Sequence, residues 1–324
     1  MATMITGGAG FVGINIAAAL LQRGERVVVF DRSSVPDVAR SHLETLPGQL
    51  VGLTGDVRDR QQLIGAMRDH GVGKLVHGAA ITAGLERETR EPATIVSVNT
   101  IGTIEVLEAA LACSVSRVVQ LGTGSVYGRS PAGKSSIDEE DLPRPESLYG
   151  ISKYAAESIA RRYRTTRNLD IAVGRLGVVF GRWEYDTGVR DTLSAPLQLL
   201  KAAKAGGVAR FKPDLPDDWV YATDIATAVT AMLDAPRLAD EVYHLATGHR
   251  WSVTAWCRRL QSVFPSFGFE ETDDLSRVTI GAAAPAARAP FSVARIKAAT
   301  GFEARYDEAA AFEDYLQWHR HVAH

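Results

Sequence analysis

The segment Thr6-Gly7-Gly8-Ala9-Gly10-Phe11-Val12-Gly13 constrains the fold more than any other part of the chain. A short apolar run, residues 3–6, precedes it, and Phe11, Ile14, Ala18 and Leu21 follow at helical spacing. Glycines at 7, 10 and 13 let the backbone turn tightly, leave space for a pyrophosphate at a helix N-terminus, and let helix pack closely on strand. Glycine-rich turns are common, so context decides. This one stands between a strand and a helix, and Asp31 closes the second strand 18 residues after Gly13. Asp31 is placed to accept hydrogen bonds from adenosine ribose hydroxyls, and its charge would repel a 2′-phosphate, so the expected cofactor is NAD rather than NADP. Arg32 beside it could stack on adenine or accept a phosphate, which leaves dual use open, and Asp31 as a simple turn residue is the alternative.

Downstream, β-branched runs at residues 26–30, 50–53, 74–77, 117–121 and 171–173 alternate with helical periods such as Ile104, Leu107 and Leu111. With right-handed crossovers this alternation specifies an α/β fold, a Rossmann-type doubly wound parallel sheet. Residues 1–175 form the expected NAD-binding Rossmann domain. Residues 176–324 form a smaller, mixed, C-terminal substrate-binding region with segments returning to the sheet. The Ala/Pro-rich stretch 281–290 reads as a surface loop, and Phe312, Tyr315, Leu316 and His319 again have helical spacing.

With 36 Lys plus Arg against 38 Asp plus Glu, the net charge of −2 lacks the basic excess that a phosphate backbone requires, so no nucleic-acid partner is expected. The absence of a long apolar run and of a basic, then apolar, leader gives the expectation of a soluble cytoplasmic protein with no membrane partner. Cys113 and Cys257 stand in helical stretches without metal-ligand spacing, so no metal is expected.

Tyr149-Gly150-Ile151-Ser152-Lys153 puts a phenol and an ammonium on one helix face. At roughly 4–6 Å and an effective dielectric near 20, the ammonium favours phenolate by about 3–4 kcal/mol, or roughly two to three pKa units. Tyr149 would then be a usable base near neutral pH. Alone the spacing is a common coincidence; its place after the fifth strand of a dinucleotide fold gives it weight.

These features resemble the short-chain dehydrogenase/reductase family, in its extended branch of epimerases, dehydratases and hydroxyl dehydrogenases. The resemblance covers nearly the whole chain. Its further marks are Asp56, His77-Gly78-Ala79-Ala80, Asn99-Thr100-Ile101-Gly102-Thr103, Gly122-Thr123-Gly124-Ser125-Val126-Tyr127-Gly128, Asp218-Trp219-Val220-Tyr221-Ala222-Thr223-Asp224 and a closing Gly301-Phe302 segment. The resemblance implies a catalytic set of Thr123, Tyr149 and Lys153. Thr123 would bond the substrate oxygen, Tyr149 would exchange its proton, and Lys153 would hold the nicotinamide ribose. The implied cofactor residues are Gly7, Gly10, Phe11, Val12, Gly13, Asp31, Arg32, Asp56, Val57, Ala79, Ala80, Asn99, Tyr149, Lys153 and Leu176. Asp56 could bond adenine or cap the helix near Asp59, and Asn99 resembles a structural, water-ordering residue. A homodimer is also implied, with helices around residues 100–113 and 149–166 packing on their copies.

Departures from the family pattern select a branch. Dehydratases carry an acid pair directly after the catalytic threonine, where this chain has Gly124 and Ser125, so dehydration is disfavoured. Val178 stands where nucleotide-sugar epimerases offer asparagine, and Asp217 where they place an arginine for the pyrophosphate, with Arg288 a thin replacement. Arg182 and Arg190, on the segment after the sixth strand, suit a carboxylate. With Thr82, Ser125 and Asp217 they are the candidate substrate residues. Trp183 and Trp219 read as packing residues. The expected activity is hydride transfer between NAD and a secondary hydroxyl or ketone of a small sugar, sugar acid or polyol. The alternatives are an NAD-dependent sugar epimerase, possibly for nucleotide sugars, and an NAD-binding redox sensor without chemistry.

Overall fold

The computed structural model describes residues 1–128, 134–185, 191, 193–213, 218–281 and 289–321. Six strands appear where the β-branched runs predict them: β1 (Ala2–Thr6), β2 (Arg26–Asp31), β3 (Gln49–Thr54), β4 (Val72–His77), β5 (Arg117–Thr123) and β6 (Ile171–Leu176). The later strands, β7 (Val178–Phe180), β8 (Val208–Phe211), β9 (Trp219–Tyr221), β10 (Val242–Leu245) and β11 (Gly268–Glu271), have three or four residues each, too short for periodicity to announce them. A seven-stranded sheet runs β10-β6-β5-β4-β1-β2-β3 with every neighbouring pair parallel. β7 pairs with β9 and β8 with β11 as two small separate sheets.

Helices cover both sheet faces, which is why β1, β5 and β6 are buried at every position. On one face lie α1 (Phe11–Gln22) and, in contact with it, α9 (Ala222–Asp234), sealing a core around Ile5, Val29, Val119 and Val229. α2 (Asp37–Leu43) borders this core. On the other face α3 (Arg60–Asp69), α6 (Gly102–Ala112) and α7 (Leu148–Arg167) cover Met4, Val28, Leu75 and Val118. α4 (Leu85–Arg90) and α5 (Pro92–Val96) lead through a π turn, Ser97–Ile101, into α6.

The helical run Pro92–Ala112 is 21 residues long with mean hydropathy 1.4, enough by length and composition to cross a bilayer. It packs against α3 and α7, and its Glu105 and Glu108 pair with Arg60 and Arg167, so here it serves as a core helix. Beyond β7 an aromatic cluster of Phe180, Trp219, Trp251, Trp256 and Tyr315 forms a separate core. It is enclosed by α8 (Ala195–Lys204), α10 (Val253–Val263) and α12 (Glu308–His321), with α11 (Ala294–Thr300) packed on α9 and β10. Phe312, Tyr315, Leu316 and His319 are the buried face of α12, as their spacing predicts. Trp183 and Trp219 are packing residues, Trp183 lying against His42 and Trp318.

Polar groups line the sheet beneath α7. Arg175 of β6 grips Glu157 of α7 through Nε–Oε2 at 2.9 Å and Nη2–Oε1 at 2.5 Å, both side chains sealed from solvent. The Tyr127 hydroxyl accepts from Arg175 and lies 2.6 Å from His244 Nε2. Removing one partner of such a pair strands a buried charge, at a cost of about 3–5 kcal/mol, whereas replacing both is far milder. Glu157→Gln should therefore lower stability by about that amount in urea unfolding, and adding Arg175→Met should recover most of it. Equal stabilities of wild type and Glu157→Gln would contradict this role.

Candidate active site

A cavity of about 730 Å³ follows the C-terminal ends of the strands, with the glycine turn at one end and α4 and α7 at the other. Gly7 has φ +71°, and a Cβ there would lie 2.6 Å from Ala79 N; one on Gly13 would lie 2.4 Å from Gly7 O. The turn therefore closes only without side chains. Gly10 caps α1 without a side chain, and Gly10 to Gly13 line the cavity, so the partial positive charge of the helix N-terminus borders it. Phe11, Val12, Val57, Ala79, Ala80 and Leu176 line the same space.

Asp31 also lines it, with Oδ2 accepting from Ala9 N and Oδ1 from Ser33 N, each at 3.1 Å. Each oxygen keeps a further lone pair for a ribose hydroxyl. Arg32 borders the same end. Of the two roles open to Asp56, the helix cap falls to Asp59, which accepts from Gln62 N, while Asp56 lines the cavity. Asp56 also holds Arg58, whose guanidinium keeps its carboxyl below the usual range. A cavity with an anion-binding turn at one end and a ribose-matching carboxylate a strand away fits a dinucleotide.

The reactive end is built by β5 and α7. Thr123 ends β5, and its hydroxyl accepts from Ser125 N at 3.1 Å and donates to Ser125 Oγ at 3.2 Å, capping the turn that follows. Thr123, Ser125, Tyr149 and Thr82 share the cavity wall. Tyr149 sits in the first turn of α7, which Ser147 caps through Gly150 N at 3.1 Å. Glu88 of α4 adds a second cap, accepting from Leu148 N at 2.8 Å. The sequence carries no signal for that contact, because Glu88 is one acid in a short charged helix distant in the chain.

Lys153, one turn along, is buried just behind the wall, with Nζ donating to Leu121 O at 2.7 Å. Leu121, whose carbonyl holds the ammonium, and Gly122 both line the cavity. Burial pulls Lys153 down to about 8, opposed by the Glu157 carboxylate on the next turn. Burial, reinforced by the Lys153 charge, pulls His77 down to about 3, so its imidazole is neutral between Thr6 Oγ1 at 2.7 Å and Thr103 Oγ1 at 3.0 Å.

Asn99 supports the wall rather than lining it: from the π turn its Oδ1 accepts from Ile81 N at 2.7 Å, and its Nδ2 donates to Ile81 O and Ser152 Oγ. Arg182 faces away from the cavity, because Asp314 of α12 takes its guanidinium in a bidentate pair and Tyr221 donates to the same carboxylate. Among the described residues the cavity cation near α4 is Arg87, paired with Asp191 at 2.9 Å, a residue the sequence did not single out. Arg190, Asp217 and Arg288 lie outside the described residues. Among the described residues no three His, Cys, Asp or Glu side chains gather as metal ligands.

Comparison with known proteins agrees with this geometry. The chain is 27% identical over 266 residues to a dTDP-glucose 4,6-dehydratase of Streptomyces niveus, covering 76% of this chain and 73% of that one. It is 25% identical over 337 aligned positions to a UDP-glucose 4-epimerase of Rhizobium meliloti, covering 98% and 96%. The solved UDP-glucose-4-epimerase of Stenotrophomonas maltophila, with bound NAD and formylated UDP-arabinopyranose, superposes with a TM-score of 0.85 at 20% identity, covering 100% and 99%, which shows a shared fold. The profile of the NAD dependent epimerase/dehydratase family matches residues 3–248, and the chain belongs to that family, the extended branch of the short-chain dehydrogenases/reductases.

Proposed function

We propose that the protein is an NAD-dependent sugar epimerase. The expectation of a free-sugar dehydrogenase gives way to its alternative, because the similar proteins are epimerases and dehydratases of nucleotide sugars. The observation that carries the choice between these two is the wall itself. Thr123 is followed by Gly124 and Ser125, which lack the acid that expelling water requires, while proton exchange needs only the phenol of Tyr149. Glu91, which lines the cavity near α4, accepts from Arg90 Nε at 2.9 Å.

In this reading the glycine turn and the N-terminus of α1 hold the pyrophosphate, and Asp31 takes the adenosine ribose. Bound NAD supplies the hydride acceptor and, once reduced, the donor. Tyr149 removes the proton from the substrate hydroxyl and later returns one to the same oxygen. Thr123 and Ser125 orient that oxygen through their linked hydroxyls. Lys153 holds the nicotinamide ribose and supplies positive charge that favours the phenolate. A second reading, net oxidation of a small free sugar or sugar acid, is favoured by Val178, an apolar residue at the cavity wall.

Incubation with NAD and a panel of UDP-sugars, dTDP-sugars, aldoses and uronic acids separates the readings. Isomer without accumulating NADH supports the epimerase, bulk NADH supports the second reading, and a dehydrated keto sugar overturns both.

Three outcomes follow from the assigned roles. Tyr149→Phe should lower turnover by about 10²–10⁴ and leave NADH affinity within a few fold, measured by kinetics and fluorescence titration. Asp31→Ala should weaken NADH binding and narrow the gap to NADPH, since acceptor and repelling charge vanish together; an unchanged ratio would make Asp31 a turn residue. Lys153 is charged below about 8 and neutral above. NADH affinity should therefore fall as pH rises through that value, and the fall should be absent in Lys153→Met.

A further inference from the structure

Tyr185 reaches the cofactor cavity from the segment that follows β7, and each residue of that segment is anchored. Gly181 has φ +138°, and a Cβ there would lie 2.8 Å from the Tyr221 ring. The Arg182 carbonyl accepts from Asn15 Nδ2 of α1 at 2.8 Å, while its guanidinium is held by Asp314. Trp183, with φ +67°, lies 5.4 Å from the His42 ring and 5.3 Å from Trp318. The buried Glu184 carboxylate accepts from Ser194 N at 2.7 Å, at the start of α8. Four helices thus fix the path that delivers Tyr185.

The Tyr185 hydroxyl donates to Ala9 O, inside the glycine turn, at 3.2 Å. Asp31 accepts from the amide of the same residue at 3.1 Å. Ala9 is therefore held from two sides by groups that both line the cavity. Burial, with the Asp31 charge adding to it, raises Tyr185 to about 12, so the phenol is a protonated donor at any physiological pH.

We propose that Tyr185 is a cofactor-retaining and cofactor-selecting residue, its ring walling the adenosine-ribose end of the cavity beside Asp31. The proposal rests on the reading that Asp31 takes that ribose. An aromatic ring there covers the ribose with little loss of side-chain entropy and keeps water from the Asp31 contacts. A 2′-phosphate would meet a carboxylate and a ring held rigidly by the anchored segment, and neither could yield. Tight retention suits a site whose cofactor must return the hydride it accepts.

The test is binding, by fluorescence titration and stopped-flow release of NADH and NADPH. Tyr185→Ala should weaken NADH about tenfold, speed its release similarly, and weaken NADPH much less, so that the preference narrows. Tyr185→Phe, which keeps the ring, should stay within about threefold of wild type for NADH. Should Tyr185→Ala fail to fold, Tyr185→Leu carries the same expectation. Unchanged affinities, equal weakening of both nucleotides, or Phe as damaging as Ala would overturn the proposal, the last two marking mere loosening of the turn. Asp31→Ala, run in parallel, separates the two assumptions. If it leaves NADH affinity unchanged, the placement of the ribose fails; if it responds and Tyr185→Ala does not, only the role of Tyr185 fails.

Discussion

The close approach of the glycine turn to the backbone just after β4 is the contact on which the rest of the molecule depends. Gly7 abuts the Ala79 backbone, and Gly13 abuts Gly7, at distances that admit no side chain. That approach seats α1 at the end of β1, places its N-terminus at the cavity, and leaves the sheet able to bury both faces under helices. Asp31 and Tyr185 then act on the same turn from opposite sides through Ala9. The cofactor end is thus a backbone structure, with side chains used to hold the backbone and to define its far wall.

The reactive end is governed by a different constraint, the burial of charge beneath α7. Lys153 lies out of water, and its ammonium is supported by the Leu121 carbonyl and by Glu157. Glu157 is in turn fixed by Arg175, and Arg175 by Tyr127, so the helix carrying Tyr149 is tied to the sheet through polar contacts. Such a layer is costly unless every member is satisfied, and in return it fixes orientation. Asn99 and Glu88 complete the frame from outside the helix, one by clamping Ile81 and the other by capping the first turn.

How far this could be read from the sequence follows the range of each interaction. The glycine turn, Asp31 and the six longer strands are local patterns, and they stand where the spacing puts them; Tyr149 and Lys153 lie one turn apart on α7, Tyr149 at the cavity and Lys153 buried behind it. Arg182 shows where local reading stops: its position after β6 suggested a substrate contact, but Asp314, 132 residues away, claims it. Glu88, Arg87 and Tyr185 gain their meaning only from residues distant in the chain. β10 was equally hidden, since Val242-Tyr243-His244-Leu245 becomes a strand through its register with β6 rather than through its own pattern.

The most direct test of the account is the fate of a deuterium placed on the carbon whose hydroxyl faces Tyr149, in whichever sugar of the panel is turned over. A hydride taken and returned within one site predicts an isomer that retains the deuterium at that carbon, with none appearing in free NADH. Deuterium accumulating in released NADH, or lost from the product to solvent, would contradict it.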